Sequence, residues 1–393
     1  MGEITMGKSK KIIIDTDPGV DDAMAIFLAF QSPEVDVIGL TTIYGNVNTT
    51  LATKNALHLL EVVGREDIPV AEGSHTSIKR VAKLHVADFV HGSDGLGNTN
   101  ITPPKGNAIA QSAAEFLIDI ANRYPGEVTI VALGPLTNVA LAIELEPLFP
   151  QKIGQIVILG GAFSMNGNVN PAAEANIFGD PEAADIVFTC GADTIVVGIN
   201  VTHQVVMTDK DLEVLAGSNG KYAKYILKIL KFYLEYHREA YNICGAYLHD
   251  PTAMFAAIDP SLMTYVEGVV RVQTEGIFRG LTTLDNMKKR ATIMQLPWWF
   301  RNFSDSFETA CVLRPVVSLA MTTEADNVIH SQDTPRSVHS QHQSYLSAKV
   351  GCFAHGDNVG QEMGNCGITL LRKKNHFGGW KCKFLASLAV LLL

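Results

Sequence analysis

Short runs of β-branched residues alternate with longer amphipathic stretches over most of this chain, from about residue 10 to residue 290. Each run is followed by a turn containing Gly, Pro or Asn and then by a helical pattern, as a strand-loop-helix unit requires. This alternation predicts an α/β fold, in which an open, mostly parallel, mixed sheet carries helices on both faces. The predicted strands include residues 11–15, 35–44, 127–133, 155–160 and 194–200.

The last hundred or so residues differ from this body in composition and in pattern. From Ala291 onward, Ser, His and Gln are scattered without a period, and Gly-rich pieces interrupt the apolar positions. All 3 Trp and four of the 6 Cys lie in this stretch. We therefore predict a folded domain over residues 1–290 and an atypical, poorly ordered tail over residues 291–393.

Charge and hydropathy narrow the classes of partner. A formal net charge of −9 argues against a broad basic surface, so nucleic acid is not an expected partner.

No apolar run precedes the first predicted strand, so we expect no secretory signal and a cytoplasmic protein. The final segment FLASLAVLLL is much shorter than the roughly 20 residues that span a bilayer, so no membrane anchor is expected. The scattered Cys residues, without a CxxC pair, suggest reduced thiols and no zinc.

Four aspartates follow the first predicted strand, where ligands of such sheets bind: Asp15, Asp17, Asp21 and Asp22. Their carboxylates would repel one another in a confined loop unless a cation neutralised them, and hard divalent ions prefer several oxygen ligands. Helix capping is the alternative, because an Asp in the first turn meets the positive end of the helix dipole. Capping could explain Asp21 or Asp22 but not Asp15 and Asp17, so we favour a metal site.

The segment DTDPGVDDAMA, residues 15–25, resembles the DxDPGxDDxxA signature of the inosine-uridine-preferring nucleoside hydrolases. The resemblance continues in family order through TTIYGN at 41–46, LGPLTN at 133–138, the stretch 168–176 and HDP at 249–251. It implies the nucleoside hydrolase fold and an enzyme that cleaves the bond between a nucleobase and ribose. Within the family the chain is most similar to the plant members that favour uridine, with inosine and xanthosine as further candidate substrates.

The resemblance also implies a calcium ion. Its ligands would be the carboxylates of Asp17, Asp22 and Asp250 and the main-chain carbonyl of Leu133, with water and ribose hydroxyls in the remaining positions. Ca²⁺ accepts several oxygen ligands with loose geometry, which suits an ion that also binds a substrate diol. The ion would make a bound water easier to deprotonate, and the family assigns Asp17 as the general base.

Ribose binding is assigned, again by the resemblance, to short amides and carboxylates that can bind a vicinal diol: Asp21, Asn46, Asn168, Glu174 and Asn176. These oxygens would also surround the positive charge of an oxocarbenium-like transition state. Without the family, Asn46 and Asn168 would be interpreted as turn residues that tolerate positive φ, and Glu174 and Asn176 as residues that merely precede a helix. The resemblance favours the substrate-binding role.

The departing base calls for an acid near the glycosidic nitrogen. His249 is the first candidate, because it directly precedes a predicted metal ligand and His changes charge near neutral pH. His91, in the Gly-rich segment HGSDGLG, is the second, since such loops can close over a substrate. No role is assigned to the other histidines.

Two alternatives to a working nucleoside hydrolase stay open. Asp15-x-Asp17 resembles the nucleophile motif of haloacid-dehalogenase-like phosphatases, although these enzymes have no use for Asp22 or for the His249-Asp250 pair. The segment after Arg290 lacks the family's usual closing strand and helix, so a folded but inactive nucleoside- or partner-binding protein is the second alternative. Since relatives are commonly dimers or tetramers, we expect a homo-oligomer.

Overall fold

A large mixed sheet organises the part of the chain that the computed structural model describes, residues 9–79 and 86–287 with the backbone of 291–295. The strands are β1 (Lys10–Thr16), β2 (Val35–Thr42), β3 (Val70–Glu72), β4 (Val128–Ala132), β5 (Gln155–Leu159), β6 (Thr194–Val197), β7 (Val206–Thr208), β8 (Gly245–Tyr247), β9 (Thr264–Val272), β10 (Thr282–Asp285) and β11 (Ala291–Gln295). Within the described residues the sheet order is β10-β9-β11-β6-β5-β4-β1-β2-β3, and β7 pairs with β8. Neighbours from β3 to β11 are parallel, whereas β9 is antiparallel to β10 and β11. The predicted mixed, mostly parallel sheet is confirmed.

Helices cover both faces of this sheet, as predicted. They are α1 (Val20–Gln31), α2 (Thr49–Val63), α3 (Asp88–His91), α4 (Ala113–Arg123), α5 (Thr137–Leu145), α6 (Phe149–Lys152), α7 (Ala175–Gly179), α8 (Pro181–Thr189), α9 (Ile199–Thr202), α10 (Asp209–Gly217), α11 (Ala223–Tyr241) and α12 (His249–Ile258), with a 3₁₀ turn at Pro260–Leu262. Side chains of β1 alternate between the two faces: Ile12 and Ile14 pack with α1 and α12, and Ile13 packs with α4 and α5. Burial on both faces explains why the central strands are continuous apolar runs.

One predicted strand was too long. The run 194–200 is β-branched almost throughout, yet β6 ends at Val197 and Ile199 begins the one-turn helix α9. Gly198 lies extended before that helix, and the amide N of Ile199 donates to the carbonyl O of Gly161, 2.9 Å away. The turn is fixed by this tertiary hydrogen bond, which β propensity does not register.

The strand order reverses between β1 and β4. The chain proceeds from β1 to β2 and β3 on one side, then crosses to β4, β5 and β6 on the other. At their carboxyl ends, the two central strands are joined by a hydrogen bond of 2.8 Å from the amide N of Leu133, directly after β4, to the carbonyl O of Asp15 in β1. Ligands of open α/β sheets bind at such a reversal, so Asp17 and Leu133 lie at the expected position for a binding site.

Three further observations bear on the sequence-based expectations. No helix in the described ranges is both long enough and apolar enough to cross a bilayer. Cys190 and Cys244 are free thiols. Residues 291–295 form β11, and the rest of the predicted tail lies outside the described residues, so the boundary near Arg290 stays a prediction.

Candidate active site

A cluster of buried carboxylates lies where β1 turns into α1. Asp21 and Asp22 are in the first turn of α1, and Asp250 is the second residue of α12, the helix that packs against α1. One carboxylate oxygen from each of the three lies within 4.8 Å of the others, and all three side chains are buried. Two helix N-termini therefore bring together carboxylates that are more than 200 residues apart in sequence.

Asp22 both caps α1 and belongs to the cluster. Its Oδ2 accepts from the main-chain N of Gly19 at 2.9 Å and from Nδ2 of Asn46 at 2.9 Å, while Oδ1 accepts from Oγ1 of Thr16 at 2.5 Å. The capping interpretation is thus correct for Asp22. It does not exclude the metal interpretation, because the same carboxylate reaches Asp21 and Asp250.

Asp17 directly follows β1, and its carboxylate lies between Gly45 and Gly134. Its Oδ2 accepts from the main-chain N of Asn46 at 2.6 Å, and its Oδ1 is buried without a partner among the described residues. A Cβ at Gly45 would lie 2.0 Å from Oδ2, and a Cβ at Gly134 would lie 2.6 Å from Oδ1. Glycine at both positions makes room for this carboxylate. Asp17 is not part of the tightest carboxylate group, so its role as a ligand stays a prediction.

The electrostatics of the cluster favour a cation. Burial, and then the charge of Asp22, raise the pKa of Asp17 well above its usual range and the pKa of Asp21 to about 7. Burial, and then the charges of Asp21 and Asp22, raise the pKa of Asp250. In addition, Oδ1 of Asp17 and Oδ1 of Asp21 are buried oxygen atoms without hydrogen-bond partners in the described structure. Buried polar atoms normally have partners, so these residues fit a hard divalent cation with oxygen ligands.

The predicted ribose-binding side chains line one cavity together with Leu133, Asp250 and both candidate histidines. Glu174 is the N-cap of α7, and its two carboxylate oxygens accept from the main-chain N atoms of Gly161, Asn176 and Ile177. The amide of Asn176 donates to the carbonyl O of Leu133 at 2.7 Å, so a predicted substrate-binding residue contacts a predicted metal ligand. Of the predicted site residues, only Asp17 and Asp22 are not among the cavity-lining side chains, and each is hydrogen-bonded to Asn46.

The turn-residue alternatives are only partly correct. Neither Asn46 nor Asn168 has a positive φ, so positive φ does not explain these amides. Oδ1 of Asn168 accepts from the main-chain N of Ala175 at 2.9 Å, which joins the preceding loop to the start of α7. Glu174 does precede a helix, although this helix is the short α7 rather than the following α8. These local bonds hold the side chains in place at the edge of the cavity.

Burial lowers the pKa of both candidate histidines. His91 ends α3, and its Nδ1 accepts from the main-chain N of Val20 at 3.1 Å, so its ring is packed against the start of α1. Burial lowers the pKa of His91 to about 3. Nδ1 of His249 lies 2.7 Å from Oγ1 of Thr202, and burial, followed by the nearby histidines, lowers the pKa of His249 well below its usual range. Burial therefore favours the neutral form of both rings that line the cavity.

The family profile described as inosine-uridine preferring nucleoside hydrolase matches residues 12–314 of this chain. The chain belongs to this family. A protein named probable uridine nucleosidase 2, from Arabidopsis thaliana, is 62% identical over 326 residues, which are 83% of this chain and 97% of that protein. A pyrimidine-specific ribonucleoside hydrolase from Citrobacter koseri is 40% identical over 290 residues, 72% of this chain and 92% of that protein. A solved plant nucleoside hydrolase, 59% identical, superposes with a TM-score of 0.72 and covers 75% of this chain and 96% of that chain.

These matches confirm the prediction of a nucleoside hydrolase, and they leave the phosphatase alternative without support. The first relative is similar along nearly its whole length, so the match is not limited to the aspartate motif.

Sequence reasoning missed one wall of the hydrolase's cavity. Near its C-terminal end, α11 contributes Tyr233, Tyr236, His237 and Tyr241 to the lining. Their spacing of three, four and eight residues places them on one helix face, and this spacing is visible in YLEYHREAY. The hydroxyl of Tyr233 donates to Oδ2 of Asp21 at 3.1 Å, which ties the aromatic wall to the carboxylate cluster. His237 therefore lines the cavity, although the sequence assigned no role to it.

Proposed function

We propose that this chain is a calcium-dependent ribonucleoside hydrolase that prefers uridine. The observation that carries the proposal is the buried carboxylate cluster at the strand-order reversal, which opens on a cavity lined by amide, carboxylate, imidazole and phenol groups. A cluster of acids supplies the ligands for a cation, and the surrounding amides match the hydroxyls of ribose. The relatives named for uridine and pyrimidine nucleosides support uridine as the preferred substrate.

Asp17, Asp22, Asp250 and the carbonyl of Leu133 would hold the calcium ion. The partnerless oxygen of Asp17 and the raised pKa values of the cluster support an ion at this position. When bound, calcium would supply positive charge that keeps the carboxylates ionised and lowers the pKa of a nearby water.

Asp17 would act as general base on the attacking water. Its Oδ2 is fixed by the main-chain N of Asn46, and its Oδ1 makes no hydrogen bond within the described residues. As this oxygen takes a proton, the water oxygen would bond to C1′ of the ribose, and the electron pair of the C1′–N bond would leave with the base. The base then receives a proton from solvent, so one water is consumed and free base and ribose are released.

The ribose would be gripped by Asp21, Asn46, Asn168, Glu174 and Asn176. Backbone hydrogen bonds already fix the rotamers of Glu174 and Asn168, so little side-chain entropy remains to be lost on binding. Oxygens fixed around the sugar stabilise the positive charge that develops at C1′ without reorganising during the reaction.

The base would lie between the histidines and the aromatic face of α11. Because burial favours the neutral form of His249, we assign to it a hydrogen bond to the departing base rather than full proton transfer. His91, which lines the same cavity, is the second candidate donor. Nδ1 of His237 lies 2.8 Å from the carbonyl O of Tyr233, and its Nε2 is buried without a partner in the described ranges. A bond from Nδ1–H to that carbonyl leaves Nε2 as an acceptor, which suits the N3–H donor of a uracil ring.

The test is the release of uracil from uridine by the purified full-length chain, with calcium present and after chelation. We expect turnover with calcium, its loss on chelation, and a fall of at least about 100-fold in kcat for Asp17→Asn. Asp119→Asn is the matched control and should keep wild-type activity, because the side chain of Asp119 is 44% exposed and paired with Arg123. Uridine binding without turnover by the wild-type chain would instead favour the inactive binding protein. Homo-oligomerisation and a cytoplasmic location stay predictions, to be tested by light scattering and by cell fractionation.

A further inference from the structure

A buried threonine, Thr202, is hydrogen-bonded to the ring of His249. Thr202 is the last residue of α9, has no exposed surface, and places Oγ1 2.7 Å from Nδ1 of His249, 47 residues further along the chain. The contact joins the turn after β6 to the first residue of α12. It is thus a tertiary hydrogen bond that local helix geometry does not require.

The direction of this hydrogen bond follows from its surroundings. A threonine hydroxyl has one proton to donate, and a buried donor left without an acceptor costs about 1–3 kcal/mol. Across the described residues, Nδ1 of His249 is the hydroxyl's sole hydrogen-bond partner. The hydroxyl therefore donates to Nδ1. A neutral imidazole that accepts at Nδ1 carries its proton on Nε2.

His249 lines the cavity beside Asp250, while its Nε2 has no hydrogen-bond partner in the part of the protein described. We infer that Thr202 is a positioning residue that fixes the Nε2–H tautomer of His249 and so presents an N–H donor to the departing base. This inference rests on the proposed function, in which His249 contacts that base.

The chemistry calls for such a donor. When the C1′–N bond breaks, its electron pair leaves with the base, and in uracil the resulting negative charge is shared between ring nitrogen and the carbonyl oxygens. A fixed N–H stabilises this charge without giving up its proton, and the base is protonated later by solvent. The opposite tautomer would present a lone pair to the same charge and would oppose cleavage. A donor aimed at developing negative charge contributes roughly 100-fold or more when it is removed.

Thr202→Val tests this role, because valine keeps the branched shape and removes only the hydroxyl. For uridine we expect kcat to fall roughly 10- to 100-fold with KM changed by less than about twofold, since the tautomer is no longer held. Thr202→Ser should keep at least about one third of wild-type kcat, because it retains the donor. The matched control is Thr194→Val, which removes from β6 a buried hydroxyl that donates to the carbonyl O of Ala192, and it should leave kcat unchanged.

A second substrate separates positioning from general damage. In 4-nitrophenyl β-D-ribofuranoside the leaving phenolate is stable without a donor, so Thr202→Val should change its turnover by less than about threefold. An equal fall for both substrates would overturn the inference and leave Thr202 a structural residue. Wild-type kcat with uridine in Thr202→Val would overturn it as well.

Nitrogen-15 correlation spectra of the histidine rings give a readout that does not depend on activity. We expect the Nε2–H pattern for His249 in the wild-type protein, assigned by its loss in His249→Gln, and a mixed pattern in Thr202→Val. An Nδ1–H pattern in the wild-type protein would overturn the inference even if the enzyme is fully active. If the wild-type chain releases no uracil, or if His249→Gln keeps full turnover, the proposed function or the role of His249 fails instead, and the spectra still decide the role of Thr202.

Discussion

Replacing Gly45 by alanine should inactivate the enzyme while leaving most of its fold intact. A Cβ at this position would lie 2.0 Å from Oδ2 of Asp17 and 2.9 Å from its Cγ. Ordinary packing distances begin at about 3.4 Å, so the carboxylate would have to move by about 1.4 Å. That movement also breaks the hydrogen bond of 2.6 Å from the main-chain N of Asn46 to Oδ2.

The expected magnitude follows from this displacement. A misplacement of about 1 Å at a reacting group can cost about 100-fold in rate, which corresponds to about 2.7 kcal/mol of activation free energy. We therefore expect kcat for uracil release to fall at least about 100-fold in Gly45→Ala. Steady-state kinetics with saturating calcium measure the fall, and circular dichroism with thermal unfolding shows whether the variant is folded.

Gly217→Ala is the matched control. A Cβ on Gly217, at the end of α10, meets no atom within 4 Å, so this variant should have wild-type kcat. If folded Gly45→Ala turns over uridine as fast as Gly217→Ala, the assignment of Asp17 as the base is refuted. If Gly45→Ala is too unstable to purify, Gly134→Ala replaces it in the same comparison, because a Cβ at Gly134 would lie 2.6 Å from Oδ1 of Asp17.

Three further predictions follow from other contacts. His237→Phe keeps a ring in the cavity lining but removes the buried Nε2, so kcat/KM for uridine should fall roughly tenfold. A panel of nucleosides assayed with this variant measures the change, and an unchanged kcat/KM for uridine would exclude a contact between His237 and the base. Burial raises the pKa of Glu182, but hydrogen bonds from Arg279 and Lys79 outweigh it and lower this pKa to about 2. Because the folded pKa lies below the unfolded value, Glu182→Gln should cost about 1–2 kcal/mol at pH 7, and urea unfolding should show this difference shrinking as the pH falls from about 5 toward 2. Burial, and then the charge of Asp22, raise the pKa of Asp21 to about 7, so the calcium-free protein should lose stability as the pH rises from about 4 to 7. Scanning calorimetry measures this loss, and added calcium should restore the stability. A stability that does not change over this pH range would contradict the raised pKa of Asp21.

Strand positions could be predicted closely because they depend on short-range patterns. The predicted strands at 11–15 and 155–160 agree with β1 and β5 to within one residue at each end, since buried parallel strands are continuous β-branched runs. The same reasoning located the aspartates, because ligands bind beyond the carboxyl ends of such strands. Both inferences need only the local sequence and the general geometry of α/β sheets.

The remainder of the site depends on contacts that no local pattern encodes. The amide of Asn176 reaches the carbonyl O of Leu133, 43 residues earlier, and the hydroxyl of Tyr233 reaches Asp21, 212 residues earlier. On α11 the aromatic residues have the spacing of a helix face, but a helix that packs on the core shows the same spacing. Only the packing of α11 beside α1 and α3 decides that this face lines a cavity.

The adjacent pair Asp21 and Asp22 shows how the helix divides two functions between neighbouring carboxylates. Successive residues of an α-helix point about 100° apart, so the two side chains have different hydrogen-bond donors, although both carboxylates lie close to Asp250. Asp22 turns back toward β1, where Thr16 and Gly19 donate to it, whereas Asp21 turns toward the hydroxyl of Tyr233 and lies 3.8 Å from Nδ1 of His91. This divergence supports the proposed division, with Asp22 toward the metal and Asp21 toward the substrate. It further implies that exchanging the two roles would require moving the start of α1 by a full residue, so neither aspartate can replace the other.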